Sequence, residues 1–445
     1  MNRRRILSVS VAVVAIAAVM IVAGTIAGGS GGQTTQTPVA AGPVSVGTNI
    51  SVGGAAQTTS ALQTRLRKFP TDWASWSTLG YVYTQQARLT ADPSFYGKAD
   101  GAFAQSLKIR PAGNASALTG QASLAGARHD FGRALSLTQA ADQVDKYSAA
   151  NLGVMTDALS ELGRYPEAMK TLQRMVDLKP GVPSYTRVSY SYELRGDLEG
   201  AKFALTSALD VAQTPADAGF TLRYLGELAF NAGDLPTAKR YFADGLRRDS
   251  TYVPLLAGQA RVEAASGDTD AALRTWQQVT TALPEPAYLI EYADLLAALG
   301  RTDEATRQYA VVEATTRLFR AQGSNVDLEL ALFDADRGRA QDALRSAQAE
   351  INRRQSIHVE DAYAWALHGV GRDKEALVHA RKAQQTGMRN ALFAYHRGII
   401  ELSLGMKAQA RASLTSALAI NPHFSPLQAP KAKAALAGLG GPSTP

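Results

Sequence analysis

Cysteine is absent from this 445-residue chain. That excludes a disulfide framework, a thiolate metal site, a cysteine nucleophile and a lipid-bearing cysteine. Aromatic residues are scarce at 7%, while alanine and leucine dominate the apolar set, a balance that favours helices over sheets. No G-x-x-x-x-G-K phosphate loop, G-x-S-x-G elbow or H-E-x-x-H metal motif occurs. Charge of one sign is also thin. The formal net charge is +7, and three of those charges are Arg3, Arg4 and Arg5 at the extreme N-terminus. No basic block with interleaved aromatics follows, so nucleic-acid binding is not expected.

What is present begins with residues Ile6 to Ala27, 22 residues without a charge. A helix of that length crosses a bilayer's hydrocarbon core. With residues 1–5 held on the cytoplasmic side, the rest of the chain is placed outside. Two readings stay open: a single-pass signal-anchor in the cell membrane, or a signal peptide cleaved near Thr25-Ile26-Ala27, which would release the chain. Residues 28–60 lack charge and are rich in Gly, Ser, Thr and Gln, a composition expected to form a flexible linker. As a coil its ends would lie roughly 30 Å apart.

A repeat dominates residues 61–428. A glycine stands five residues before an alanine in Gly163/Ala168, Gly196/Ala201, Gly233/Ala238, Gly267/Ala272, Gly300/Ala305, Gly338/Ala343, Gly371/Ala376 and Gly405/Ala410. Successive glycines are 33, 37, 34, 33, 38, 33 and 34 residues apart. Ala99 and Ala134 extend the series to ten units, with the turn glycine replaced. Within one unit, Leu289, Tyr292, Ala293 and Leu296 mark one face of a helix. Gly300 ends that helix, where a left-handed residue is required. Arg301-Thr302-Asp303-Glu304 then starts a second helix carrying Ala305, Tyr309 and Val312. A segment at 429–440 is expected to cap the array, and 441–445 to form a tail.

This period and pattern resemble the tetratricopeptide repeat. The first unit carries Trp76, Leu79, Gly80 and Tyr83, then Ala99, Phe103, Ser106, Leu107 and Pro111, with an insertion around Leu89 to Tyr96. The fifth carries Leu222, Leu225, Gly226, Gly233, Ala238, Phe242 and Leu246; the tenth carries Gly398, Gly405, Ala410, Leu414, Ala417 and Pro422. The second unit departs most, with Gln121 and His129 at motif positions. The resemblance implies an all-α, right-handed superhelical solenoid of about ten helix-turn-helix units, preceded by the N-terminal transmembrane or signal helix. It also implies a concave groove for a protein or peptide, with no cofactor and no small-molecule substrate. The groove positions of the family fall on Tyr81, Tyr190, Glu193, Arg223, Glu227, Phe230, Arg261, Asp294, His358, Trp365, His368 and Tyr395. Of these, Tyr190, Arg223, Glu227, Arg261, Asp294, Trp365 and Tyr395 are the candidate partner-binding residues. The family's two-carboxylate clamp uses Lys and Asn where the first unit has Ser77 and Tyr81, so its acidic-tail ligand is not expected.

Five of six histidines fall late in the chain: His358, His368, His379, His396 and His423. His379 and His396 lie on helices of adjacent units, which leaves a metal-handling accessory role as an alternative. The third reading is a regulatory subunit of a membrane enzyme or transporter. Anchor, linker and repeats account for nearly every residue, leaving no segment to house a catalytic fold. The expected function is therefore a membrane-tethered extracytoplasmic scaffold, with a role in envelope assembly. The Ala, Arg and Gly richness suggests a bacterium of high genomic GC content.

Overall fold

A computed structural model describes residues 52–440. Among these residues the chain forms 22 α-helices and no strand. Helix α1 spans Val52–Lys68. Ten antiparallel hairpins follow. Unit 1 is α2 Trp73–Thr90 with α3 Ser94–Ile109, unit 2 α4 Ala115–Ala127 with α5 Phe131–Val144, and unit 3 α6 Ala149–Glu161 with α7 Tyr165–Leu178. Unit 4 is α8 Val182–Glu193 with α9 Leu198–Asp210, unit 5 α10 Pro215–Asn231 with α11 Leu235–Arg248, and unit 6 α12 Val253–Ala265 with α13 Thr269–Ala282. Unit 7 is α14 Pro286–Ala298 with α15 Thr302–Ala321, and unit 8 is α16 Asp327–Asp336 with α17 Ala340–Arg353. Unit 9 is α18 Ile357–Gly369 with α19 Asp373–Ala383, unit 10 is α20 Ala391–Ser403 with α21 Lys407–Ile420, and α22 Gln428–Gly438 closes the array. The expected membrane segment at 6–27 lies outside the described residues. Among the described residues no helix is long and apolar enough to cross a membrane. Helix α1 begins at Val52, inside the stretch read as linker from composition alone. Its second half, Leu62 and Leu66 above all, packs on α2, and that burial is what stabilises the helix.

Each hairpin follows from a few residues. The turn glycines named above adopt φ between 72° and 84°, a region that costs any other residue about 1–2 kcal/mol. His129 and Ala91 hold the same position in units 2 and 1, at φ 57° and 51°. The second helix is then started by an aspartate at Asp130, Asp197, Asp234 and Asp268, each accepting a bond from the backbone N–H three residues on. All ten alanines of the Gly–Ala series are buried, none above 5% exposure. Within the first helix of units 1, 2, 5 and 6, glycine makes room for an aromatic ring. A Cβ at Gly80 or Gly120 would lie 2.6 or 2.1 Å from the ring of Phe103, and one at Gly226 or Gly258 would lie 2.4 or 2.2 Å from Phe242. One ring thus locks two successive units together.

Except between units 6 and 7, the first helices of successive units pack directly on one another, whereas the second helices do so marginally at most. The first helices therefore line the inside of a curve. The curve is tight enough to close on itself. The turn of unit n meets the loop that follows unit n+5, five times in succession. Ala91 packs against the cluster holding Leu283 and Tyr288. His129 Nδ1 lies 2.8 Å from the carbonyl oxygen of Asn325, whose own N–H donates to Arg128 O at 2.8 Å. Arg354 reaches Glu161, and the N–H of Ile357 donates to Tyr165 Oη at 2.9 Å. A Cβ at Gly196 would lie 2.4 Å from Gly387 O. Asn421 Nδ2 donates to Phe230 O at 2.9 Å. The bonded partners are 191 to 196 residues apart. These rungs form a seam along which the second turn of the superhelix rests on the first.

Candidate functional site: the interior face

The inside of the superhelix carries a ladder of ion pairs between units. Asp157 on α6 and Arg187 on α8 form a two-point pair at 2.6 and 2.8 Å. Arg223 bonds Glu227 within α10 at 3.0 Å, Glu227 lies 3.5 Å from Arg261 on α12, and Arg261 makes a two-point pair with Glu291 on α14, both contacts at 2.6 Å. Asp294 then binds Arg337 and accepts from Tyr309 Oη at 2.9 Å. Planar guanidinium groups opposite carboxylates make this a directional stitch rather than a diffuse field.

One link is missing. Between units 4 and 5, Glu193 faces Glu227. Burial, reinforced by the Glu227 charge, pushes the Glu193 carboxyl up to about 7. Asp294 is pushed up to about 6, because burial outweighs its Arg337 partner. Burial likewise drives the Tyr190 hydroxyl far above its ordinary value. The interior therefore holds charge in a poorly hydrated place, although the Arg223, Glu227 and Arg261 side chains keep between 21% and 25% exposure.

The candidate residues separate into two groups. Tyr190, Arg223, Glu227, Arg261 and Asp294 come together along units 4 to 7, with Glu193 and Phe230 beside them. Tyr190 Oη also lies 3.3 Å from His358 Nε2 across the seam. Trp365 and Tyr395 lie instead in the packed C-terminal end. Trp365 stacks on His396 with ring centres 4.2 Å apart and donates to Asp336 Oδ1 at 2.8 Å, and the same oxygen accepts from Gln428 at 2.7 Å. Tyr395 is 3% exposed, between Trp365 and Phe424. Tyr81 sits edge-on to Phe103 and donates to Ser116 O. The two histidines weighed as metal ligands engage separate carboxylates, His379 with Glu360 at 2.5 Å and His396 with Asp361 at 2.9 Å. His368 pairs with Asp373. Among the described residues no group of three His, Asp or Glu side chains converges as a metal site.

Reading units singly overlooks Asp157, Arg187, Glu291, Arg337 and Arg354. The first three carry a sequence signal: opposite charges 30 residues apart, Asp157/Arg187 and Arg261/Glu291. That interval is one repeat less about one helical turn, which sets the two side chains opposite each other on neighbouring helices. Arg354 has no such signal, since its partner belongs to another turn of the superhelix.

No family model matches the chain. One curated relative, the cellulose synthase 1 operon protein C of Komagataeibacter xylinus, is 26% identical over 208 residues, 44% of this chain and 16% of that protein. This chain thus spans a small fraction of that relative's length. Among solved structures, a chain of the APC/C hetero-tetramer Cut9-Hcn1 overlays 87% of this chain and 90% of its own at TM-score 0.39 and 13% identity. A tetratricopeptide-repeat protein from Parabacteroides merdae overlays 58% of this chain and 98% of its own at TM-score 0.34 and 18% identity. A thermophilic one from Thermus thermophilus overlays 42% and 98% at TM-score 0.37 and 20% identity.

Proposed function

We propose that the chain is a scaffold of the tetratricopeptide-repeat kind, without catalytic chemistry of its own, that holds a protein or peptide segment along its interior face. The observation that carries this reading is the line of arginine, carboxylate and tyrosine side chains from Tyr190 to Asp294, set by successive first helices at one height. Such side chains supply most binding energy where a partner is fully engaged, and an extended segment can follow a line of equivalent positions. Glu193, which has no arginine opposite it, favours a basic side chain of the partner at units 4 and 5. We further propose that residues 6–27 tether the scaffold to a membrane with the repeats outside. A role in envelope assembly is part of the same proposal.

The test is crosslinking in native membranes followed by mass spectrometry, with Arg223→Glu/Arg261→Glu beside the unaltered chain. A partner captured by the unaltered chain and lost from the variant supports the interior face as the binding surface. Equal capture by both would move the interface elsewhere and refute this reading.

A further inference from the structure

The seam has a construction unlike that of the hairpins. Every rung is made at a turn or an inter-unit loop or by the helix ends beside them, so the two turns of the superhelix can part without breaking any hairpin. Its centre is one mixed cluster, Tyr165, Tyr190 and Leu194 against Ile357, Met388 and Phe393. Polar contacts flank that cluster on both sides: His129 with Asn325, Arg354 with Glu161, and Asn421 with Phe230 O. A small apolar centre with a polar rim is the composition of an interface that opens, not of a core. Packing density says the same. Within a hairpin pair the Phe103 ring fills the space between Gly80 and Gly120 to contact. On the seam a cavity of about 200 Å³ remains between Phe230, Met388 and Phe424, and a second of about 350 Å³, set between units 3 and 4, reaches the seam at Thr386. Both adjoin the ladder, the first through Glu193 and the second through Asp157 and Arg187.

We propose that the seam is a gate: the structure shows the closed form, and the interior face between units 3 and 7 is loaded when the second turn lifts from the first. This rests on the reading that the interior receives the partner. A closed seam leaves the Arg223–Glu227–Arg261 ladder open to small solutes but walled off from a polypeptide. Loading then trades the Arg354–Glu161 and His129–Asn325 contacts for contacts with the partner. The ion pairs along the first helices persist in both forms, because they join neighbours in the array rather than turns of the superhelix.

The absence of cysteine makes the test clean. Arg195 and Thr386 directly precede Gly196 and Gly387, whose backbones meet across the seam; Arg195→Cys with Thr386→Cys is designed to close the seam on oxidation and free it on reduction. Glu227→Cys in the same chain reports from the interior, and mass spectrometry verifies which thiols have paired. Initial labelling at position 227, read by peptide mapping so that the seam thiols freed on reduction are not counted, is followed with a small maleimide and with a maleimide carrying a polyethylene glycol chain of about 5 kDa, in oxidised and reduced protein. The small reagent is expected to react similarly in both forms, and the large one at least about tenfold faster in the reduced form, the signature of a seam that opens on the labelling timescale. Equal rates for the large reagent in the two forms, whether both fast or both slow, would overturn the gate. The comparison is made within one folded protein, so loss of structure cannot mimic it. It also needs no partner: the gate can fail while the crosslinking above still finds a ligand at Arg223 and Arg261, and the reverse.

Discussion

The turns of units 2 to 5 and those of units 6 to 10 use the same local chemistry and live in different surroundings. Gly163, Gly196 and Gly233 adopt the left-handed conformation with another stretch of backbone against them; an added Cβ would meet Gln355 O at 2.5 Å, Gly387 O at 2.4 Å and Ile420 O at 3.1 Å. Gly267, Gly300, Gly338, Gly371 and Gly405 adopt it facing open space. A single motif residue therefore does one job in half the molecule and two in the other. It ends a helix throughout, and in the first half it also lets the chain return upon itself. Local repeat rules account for the first job. Only the pitch of the superhelix accounts for the second.

The largest break in this symmetry is expected at the ion pairs. Arg354, 5% exposed at its side chain, holds Glu350 and, across the seam, Glu161. Arg372 makes an i,i+3 pair with Glu375 in a turn of the second half, out in solvent. Removing one partner of a buried pair costs about 3–5 kcal/mol, and removing an exposed one costs at most about 1. Arg354→Ala should therefore shift a urea denaturation midpoint far more than Arg372→Ala. Equal shifts would show that the seam contributes nothing to stability.

Next come the glycines. Gly196→Ala and Gly405→Ala both place a side chain at positive φ, a shared cost of about 1 kcal/mol. Only Gly196→Ala also drives a methyl into Gly387 O, which adds about 1–3 kcal/mol of overpacking. Thermal unfolding of the two variants separates the contributions, and the difference between them is the cost of crowding the seam.

Glu193 sharpens the contrast in pH. Its folded value of about 7 lies above the ordinary glutamate value of 4.5, so between these values the folded chain keeps a proton that the unfolded chain has lost. The proton-linked stability is complete below pH 4.5 and is lost as pH rises through 7. Glu193→Gln should stabilise the protein by up to about 3 kcal/mol near pH 8 and little near pH 4, measured by denaturation across that range. A variant equally stable relative to the parent at both pH values would contradict the placement of Glu193 beside Glu227.

The smallest effect is expected where motif glycine is replaced. Ala91→Gly relieves a left-handed alanine and should stabilise by a few tenths of a kcal/mol, the relief being partly offset by unfolded-state entropy. His129→Gly relieves the same strain but deletes the imidazole that meets Asn325 O, and should destabilise by about 1 kcal/mol. The pair of melting temperatures should move in opposite directions.

The hairpins were legible in the sequence because they rest on short-range chemistry. The Gly–Ala spacing located every turn from Gly163 to Gly405, while the contact of Gly80 with Phe103, two residues of the repeat motif, emerged only in the structure. The interior face was legible in part. The groove positions implied by the family resemblance put Tyr190, Arg223, Glu227 and Arg261 on first helices, which line the interior. The same counting drew in Trp365 and Tyr395, which pack among His396, Asp336 and Phe424 because the C-terminal units and α22 fold over them. The seam left no trace that a single repeat could display. Asn325, Gln355, Gly387 and Asn421 look like ordinary loop residues, and their partners lie nearly six repeats away. His129 read as a degenerate motif position, and its role appears only when Asn325 arrives opposite it.

The central claim is that the second turn of the superhelix rests on the first. Spin labels on Arg195→Cys and Thr386→Cys, in a chain with no other thiol, measure it directly by pulsed electron-electron distance spectroscopy. A dominant, narrow, short-distance population is predicted for the free protein. A broad distribution at long distance, with no short component, would mean that the turns stand apart and that the closed superhelix does not describe the protein in solution.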